Sequence, residues 1–397
     1  MWGLLNQADI SRMPDKCHAG NNMNEANVGG VCATEFAKVK DAFVENFKTR
    51  RELGAAITVY KDGEKVVDLW GGHLDEAKML PWGEHSIVSM ASTVKGMMAL
   101  GIHMLADQGK LDYDKPVASY WPEFAQNGKE NITVRQVVSH HAAIHFIDAA
   151  QPGDYFRWDQ MVAAVAAQRP EWKPGTRGVY HTISIIFIFG KLIQVATGEY
   201  PWDWFRREVT GKLGIEYNLH LNETDLTNFG ADFDTDAFVN DAEISPEVMA
   251  RFFAGMGDPE SVLSPSELAQ VPFLASAGNA RGVARFFAFC AADGKLDGVR
   301  IMSSRTIELM TEEQWYAPCA VWGTPMRTAL GLLLNDPEFF YIGRNPKAFG
   351  TAGAGGSFGM ADRENNMSVA YCVNRWWPAL ALGDRSRALV DAVYASL

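Results

Sequence analysis

Cysteines are few in this chain, and long hydrophobic runs do not occur. Five of the 397 residues are cysteine, an odd number, and no two of them form a CxxC pair. We therefore do not expect a disulfide framework, and a reducing compartment is favoured. No stretch approaches the roughly 18 consecutive apolar residues that a membrane-spanning helix needs.

Positive charge is also scarce. The chain has 36 Lys and Arg against 48 Asp and Glu, a formal net charge of −12. Nucleic acids and anionic membranes bind basic surfaces, so neither is expected as a partner. The first residues lack the basic segment and apolar core of a secretion signal. These features predict a cytoplasmic protein, and they leave its oligomeric state open.

One Ser-x-x-Lys motif, Ser92 and Lys95, stands where an apolar helix is predicted to begin. Residues three apart lie on one helix face, separated by roughly 4.5 Å along the axis. A serine hydroxyl becomes nucleophilic when a neighbouring base takes its proton, and burial keeps a lysine neutral enough to be that base. An N-cap serine beside an exposed lysine would give the same spacing, so further elements are needed.

Two later segments could complete such a site. Tyr180 follows a Pro-Gly turn and leads into an apolar helix. A tyrosine held beside a cationic lysine can have a depressed pKa and act as a base, although a buried ring capping a core helix is the plainer interpretation. Residues 349–362 are rich in glycine within a strand pattern. Such density indicates close approach of another group to the backbone, and a flexible turn is the alternative.

Apolar spacing predicts helices and strands along the chain. Residues 35–50 are predicted as a helix, and residues 55–60 and 65–70 as the strands of a hairpin. The middle is mainly helical, with the clearest helices at residues 132–139, 158–167, 184–197, 201–209 and 278–293. Strands are then predicted at residues 329–334, 338–342, 348–358 and 367–374, with a last helix at residues 385–396.

This order of elements predicts an α+β protein. One sheet would be built from both ends of the chain, with a helical region inserted between its halves. Residues 1–31 are expected to form an arm over the surface, and residues 32–397 a single catalytic domain. Its sheet part would comprise about residues 32–90 and 300–397, and its helical region about residues 91–299.

The Ser92 and Lys95 motif, Tyr180 and the glycine-rich segment together resemble the serine β-lactamase and penicillin-binding-protein superfamily. The likeness is greatest to the class C β-lactamase-like esterases, the family VIII carboxylesterases, and extends over roughly residues 35–397. It implies a β-lactamase-like fold, a mainly antiparallel sheet flanked by helices with an inserted all-helical region. It also implies hydrolysis of carboxylic esters through an acyl-enzyme, without metal or cofactor.

Carried over by position, the resemblance makes Ser92 the nucleophile, Lys95 its proton partner and Tyr180 the general base. The backbone N–H groups of Ser92 and Ala354 would form the oxyanion hole. Residues expected to contact the substrate are His181, Thr351 and Gly353.

Two positions depart from the β-lactamase pattern. Thr351 replaces the lysine of the Lys-Thr-Gly motif and cannot bind a substrate carboxylate through charge. Thr182 stands where β-lactamases often have asparagine, so a side-chain amide is lost. Both departures favour small-molecule esters over lactams, and peptides stay possible as substrates.

Other interpretations are weaker. Residues 355–359 match the G-x-S-x-G nucleophile elbow, but that fold needs a histidine after the serine and His220 is the last one. His141 and His145 are four apart but lack the Glu of H-E-x-x-H, so no metal site is expected. The functional alternatives are a peptidase, amidase or β-lactamase on the same scaffold, an acyltransferase and, last, a non-catalytic binding protein.

Overall fold

A nine-stranded antiparallel sheet forms the centre of the fold. The computed structural model describes residues 27–234, 245–256, 276–378 and 382–397. The strands of this sheet are β1 Gly29–Cys32, β2 Gly54–Lys61, β3 Glu64–Gly72, β10 Trp315–Pro318, β11 Pro325–Thr328, β12 Leu333–Leu334, β13 Phe349–Ala352, β14 Phe358–Asp362 and β15 Met367–Val373. Their spatial order is β1-β3-β2-β15-β14-β13-β12-β11-β10, so the two ends of the chain meet where β2 pairs with β15.

Within the described ranges, six short strands lie outside this sheet. A four-stranded sheet comprises β4 Ile87–Ser89, β5 Tyr217–Asn218, β6 Phe229–Gly230 and β7 Ala277–Gly278, and a hairpin comprises β8 Lys295–Leu296 and β9 Val299–Arg300. The region inserted between the halves of the main sheet is thus mainly helical but also carries β5, β6 and β7. Two-residue strands show no alternation over several residues, which is why the sequence pattern did not reveal them.

Helices cover both faces of the main sheet. They are α1 Ala37–Thr49, α2 Thr93–Asp107, α3 Val134–Val138, α4 Trp158–Ala167, α5 Ser184–Thr197, α6 Pro201–Phe205, α7 Glu223–Leu226, α8 Pro246–Phe252, α9 Ala280–Ala291, α10 Ser304–Met310 and α11 Asp384–Tyr394. On β2, Ile57 and Val59 pack with α1 and α11, whereas Ala56 belongs to the core cluster that contains α9. The central strands are therefore apolar at consecutive positions because both of their faces are buried.

Helix α2 lies between the main sheet and the helical region. All of its residues from Thr93 to Leu105 are buried, and it packs against both α5 and β13. A helix that is buried on every side is expected to be mostly apolar, and α2 is so apart from Thr93, Lys95 and His103. Its N-terminus, where Ser92 stands, therefore lies at the junction of the main sheet and the helical region.

Most predicted elements are confirmed, and the bounds of α4 and α5 match to the residue. The strand predicted at residues 338–342 is wrong. Here the chain is irregular because Asn335 holds it through side-chain bonds, accepting from the Ile342 N–H at 3.0 Å and donating to the Gly343 carbonyl at 2.8 Å. Of the predicted surface arm, residues 1–26 lie outside the described residues, and β1 pairs with β3 at the sheet edge.

Candidate active site

Ser92 stands on a sharp turn between β4 and α2. The residue before it, Ala91, has a left-handed backbone with φ +44°, a conformation that costs energy for any residue with a side chain. The turn is closed by hydrogen bonds from the Thr93 N–H to the Met90 carbonyl at 3.0 Å and from the Val94 N–H to the Ala91 carbonyl at 3.3 Å. The strained turn places Ser92 at the helix N-terminus.

Lys95 is paired with Ser92. Its Nζ lies 2.8 Å from the Ser92 Oγ, and its side chain is 5% exposed. Burial lowers the pKa of Lys95 from 10.5 to about 7, because the surroundings disfavour the charged amine. A substantial fraction of Lys95 is therefore neutral near pH 7, which is the state that a lysine needs in order to accept a serine proton.

Tyr180 lies on the other side of this pair. Its side chain is hydrogen-bonded to Ser92, and its ring centroid lies 5.1 Å from the Lys95 Nζ. Burial nevertheless raises the pKa of Tyr180 to about 12, and the hydrogen bond from Ser92 lowers it only in part. The depressed pKa expected from the sequence is wrong, because desolvation of the buried phenol outweighs its hydrogen bond with Ser92.

The backbone around Tyr180 is fixed by two residues. His140 accepts the Val179 N–H through its carbonyl at 3.0 Å and the His181 N–H through its Nδ1 at 3.1 Å. Between these two bonds, the Tyr180 N–H donates to the Cys319 Sγ at 3.3 Å. The His140 ring also packs on the Tyr180 ring, with centroids 4.9 Å apart. Three consecutive N–H groups are thus held, which sets the position of the Tyr180 side chain.

His181 does not face a substrate, so that expectation is wrong. It is fully buried, and its Nε2 accepts the Ile144 N–H at 3.2 Å. This bond assigns the proton to Nδ1, which lies 3.2 Å from the His140 Nδ1. Burial holds the pKa of His181 well below its usual range and that of His140 at about 3, so both rings are neutral. The two histidines support Tyr180 from behind.

The glycine-rich segment lies against α2, as close backbone approach predicted. A Cβ on Gly353 would fall 2.0 Å from the Met90 carbonyl oxygen, so only glycine fits beside the Ser92 turn. A Cβ on Gly96 of α2 would fall 2.4 Å from the Thr351 Cβ. Thr351 is 5% exposed and packs on that helix, so the expectation that it contacts substrate is wrong.

A small pocket opens beside Ser92. Its volume is about 80 Å³. It is lined by Ser92, Tyr180, Trp322, Thr324, Met326, Leu333, Phe339, Ala352, Gly353 and Ala354. Among the described residues, the backbone N–H groups of Ser92 and Ala354 have no hydrogen-bond partner, so both are free to bind a substrate oxygen. Sequence analysis missed Met326, Leu333 and Phe339, which only the tertiary fold brings to this place.

Ser357, the serine of the G-x-S-x-G match, is buried and accepts the Val373 N–H at 3.3 Å. Over the residues described, no three His, Cys, Asp or Glu side chains are grouped as a metal site. Within the same ranges, every helix is too short or too polar to cross a lipid bilayer.

A larger cavity of about 390 Å³ lies elsewhere and contains none of the predicted site residues. Three ion pairs, Arg327 with Glu313, Arg363 with Asp293, and Lys347 with Glu364, neutralise the charged side chains on its wall. It has no nucleophile and base in contact, so the pocket beside Ser92 is the candidate active site.

Comparison with known proteins identifies the family. The family model described as "Beta-lactamase" matches residues 39–393, so the chain belongs to the β-lactamase family. The esterase/β-lactamase LipL of Mycobacterium tuberculosis (strain ATCC 25618 / H37Rv) is 31% identical over 383 residues, which cover 90% of this chain and 86% of LipL.

Two solved structures show the same fold over nearly the whole chain. A family VIII carboxylesterase is 33% identical, with a TM-score of 0.84 over 93% of this chain and 100% of the other. A penicillin-binding-protein homologue from Caulobacter crescentus is 32% identical, with a TM-score of 0.84 over 94% of this chain and 100% of the other. The resemblance and the β-lactamase-like fold inferred from the sequence are confirmed.

Proposed function

We propose that the protein is a serine carboxylesterase that acts through an acyl-enzyme on Ser92. The observation that carries this proposal is the 2.8 Å contact between the Ser92 Oγ and a buried lysine whose pKa is about 7. The relatives named as esterases and the carboxylesterase structure support the same reaction class. A penicillin-binding-protein homologue has the same fold, so the fold alone does not specify the substrate. We therefore infer the substrate from the residues of the site.

In the first half-reaction, neutral Lys95 takes the Ser92 proton as the serine oxygen attacks the ester carbonyl. The resulting oxyanion is bound by the N–H groups of Ser92 and Ala354. Because the pKa of Tyr180 is about 12, its hydroxyl is protonated at neutral pH. We therefore assign it as the group that passes a proton to the leaving alcohol and regains one from the Lys95 ammonium. This replaces the role of general base that the resemblance implied.

In the second half-reaction, water takes the place of the alcohol. Its proton goes to Lys95, directly or through Tyr180, as the hydroxide equivalent attacks the acyl carbonyl. Collapse of the second tetrahedral intermediate releases the carboxylic acid and returns the proton to Ser92. No step requires a metal or a cofactor.

The pocket favours neutral esters over β-lactams and over peptides with a free carboxylate. Its described wall includes no Lys or Arg, and Thr351 is packed away on α2. A substrate carboxylate would therefore lose its hydration without gaining a cationic partner. An uncharged acyl group gains apolar contacts with side chains such as Met326, Leu333 and Phe339.

We further propose that the enzyme works in the cytoplasm on small molecules, as a single catalytic domain that binds neither nucleic acid nor membranes. The net charge of −12 supports the absence of polyanionic partners. The free thiols of Cys290, Cys319 and Cys372, all buried, suit a reducing compartment.

Turnover of three chromogenic substrates tests the reaction class. We expect p-nitrophenyl butyrate to be hydrolysed with a kcat/KM at least about a hundredfold above that of nitrocefin or a D-alanine p-nitroanilide. The matched control is Ser92→Ala, which should lose turnover of all three. Faster hydrolysis of the cephalosporin or of the anilide would reassign the enzyme as a lactamase or an amidase. Undiminished activity of Ser92→Ala would rule out this site.

A further inference from the structure

Asp232 carries a buried acidic side chain that the proposed reaction does not use. The residue is 1% exposed, and neither carboxyl oxygen has a hydrogen bond of ordinary geometry within the described residues. Burial raises the pKa of Asp232 well above its usual range, and a weak hydrogen bond from the indole N–H of Trp376 opposes this only in part. Enclosing a carboxyl group in this way is unfavourable for folding, so its presence at this position needs an explanation.

The segment that contains Asp232 runs beside the chain that follows β15. The Phe233 N–H donates to the Asn374 carbonyl at 2.6 Å, and the Trp376 N–H donates to the Phe233 carbonyl at 2.9 Å. These two bonds form a parallel bridge between Phe233 and Arg375. Asp232 and Trp376 are each one residue from this bridge, so the bridge holds their backbones close together.

The Trp376 ring packs against the backbone next to the Ala354 N–H. A Cβ built on Gly355, the residue after Ala354, would fall 2.5 Å from the Trp376 Cγ, so the indole leaves no room for a side chain there. Gly355 has φ +86°, a conformation that favours glycine, and its carbonyl accepts the Trp377 N–H at 2.9 Å. The indole and this backbone bond therefore fix the residue that follows the oxyanion-hole donor.

We propose that Asp232 is a positioning residue for the oxyanion hole, acting through the Trp376 ring on the Ala354 N–H. This inference rests on the proposed esterase function and adds a residue to its machinery. Gly355 contacts the ring at its Cγ and Asp232 contacts it at its Nε1, and two points of contact fix the orientation of the indole. An oxyanion donor is effective when it is already aimed before the charge develops.

Three variants change the contact between Asp232 and Trp376. Asp232→Leu removes the polar group at similar size, Trp376→Phe removes the indole N–H and keeps an aromatic ring, and Asp232→Asn keeps a carbonyl oxygen that can accept from the indole. We expect the first two to lower kcat for p-nitrophenyl butyrate by about 10–100-fold with little change in KM, because a misplaced oxyanion donor is missed in the transition state. Asp232→Asn should retain most of the activity.

The affinity for butylboronic acid separates positioning from stability. A bond forms between the Ser92 Oγ and the boron while the serine proton passes to Lys95, and the tetrahedral adduct places a boronate oxygen where the oxyanion would lie. The inhibition constant does not depend on how much of the protein is folded. We expect it to rise by the factor by which kcat falls in Asp232→Leu and in Trp376→Phe. The double variant should lose no more than either single one, because both remove one contact.

Tyr394→Phe is the matched control. It also replaces a large aromatic donor to a buried aspartate by phenylalanine, because the Tyr394 hydroxyl donates to Asp362 at 2.6 Å. Asp362 lies at the end of β14 that is remote from the site, since Phe358 at the other end pairs with Ala352. Tyr394→Phe should lower the Tm and leave the inhibition constant of the boronic acid unchanged.

The outcomes separate this inference from the esterase proposal. Inhibition constants that stay at the wild-type value in Asp232→Leu and Trp376→Phe would overturn the positioning role, while wild-type turnover of the ester upholds the esterase. A loss in Asp232→Asn as large as that in Asp232→Leu would overturn it as well. If Asp232→Leu does not fold, Trp376→Phe decides alone. If the wild type does not hydrolyse the ester, the esterase proposal falls and this inference falls with it.

Discussion

Replacing Lys95 by methionine should make the protein more stable while removing its activity. Burial lowers the pKa of Lys95 from 10.5 to about 7. In the unfolded chain the Lys95 amine stays protonated up to about pH 10. At pH 7, folding therefore buries an amine that water would keep charged, which is unfavourable. At 1.36 kcal/mol per pKa unit, this costs roughly 4–5 kcal/mol of the free energy of unfolding.

Methionine has a similar length and no charge, so Lys95→Met removes that cost. It also gives up the 2.8 Å contact with Ser92, worth about 1 kcal/mol. We therefore expect the free energy of unfolding at pH 7 to rise by roughly 3 kcal/mol. The turnover number should fall by about 10²–10⁴, the usual contribution of a positioned base.

The same pKa shift determines how the stability difference between the wild type and Lys95→Met changes with pH. Between about pH 7 and pH 10.5 the unfolded state holds one proton more than the folded state at this position, so wild-type stability rises with pH. The advantage of Lys95→Met should accordingly shrink by about 1.4 kcal/mol for each pH unit in this window. Urea unfolding at pH 7 and pH 9, followed by tryptophan fluorescence, measures it.

A matched control is Lys110→Met, which removes an exposed lysine and should change stability by less than about 0.5 kcal/mol at either pH. The reasoning is refuted if Lys95→Met is less stable than the wild type at pH 7. It is equally refuted if the difference between them is the same at both pH values.

Three further predictions concern the same site. The kcat/KM for a neutral ester should rise with pH through an apparent pKa of about 7, as Lys95 loses its proton, and a profile that is level from pH 5 to 9 would contradict that role. Tyr180→Phe should lower kcat by about 10²–10⁴ while fluorophosphonate labelling persists, and unchanged turnover in stopped-flow assays would exclude proton donation by the phenol. His140→Leu should lower kcat about 10–100-fold with little change in KM, because it removes the acceptor of the His181 N–H. His140→Asn keeps an acceptor and tolerates the backbone φ of +63°, so it should retain more activity. Equal losses for the two variants in steady-state kinetics would argue against a positioning role.

The sequence predicted those parts of the site that depend on local spacing. Ser92 and Lys95 are one helical turn apart, so their contact follows once α2 is recognised. The close packing at Gly353 was also predictable, because a high density of glycine indicates that another group approaches the backbone. In the structure that group is the Met90 carbonyl. The hairpin of β2 and β3 and the long apolar helices carry strong periodic patterns and were predicted with small errors in their bounds.

The errors have physical causes that lie beyond local spacing. The pKa of Tyr180 depends on how deeply its hydroxyl is buried, a property of the folded structure that a motif does not contain. His181 is adjacent to Tyr180 in sequence, but its ring turns away and bonds to Ile144. The resemblance to the β-lactamase Lys-Thr-Gly motif places Thr351 at the lysine position, where substrate contact was expected, yet its side chain is enclosed against Gly96.

The pocket wall is likewise a product of tertiary structure. Trp322 and Thr324 come from a hairpin whose strands contain Pro318 and Pro325 and show no clear alternation. Phe339 comes from the irregular segment that was predicted as a strand. No local sequence pattern marks these residues as pocket residues. The composition of the pocket wall is therefore evident only from the folded protein.

The central claim is that Ser92 carries the acyl group. Its most direct test is peptide mapping by mass spectrometry after reaction with a fluorophosphonate, with Ser92→Ala as the control. The account predicts one adduct, on the peptide that contains Ser92, and none in the variant. An adduct on Ser357 or any other side chain, or equal labelling of Ser92→Ala, would contradict it.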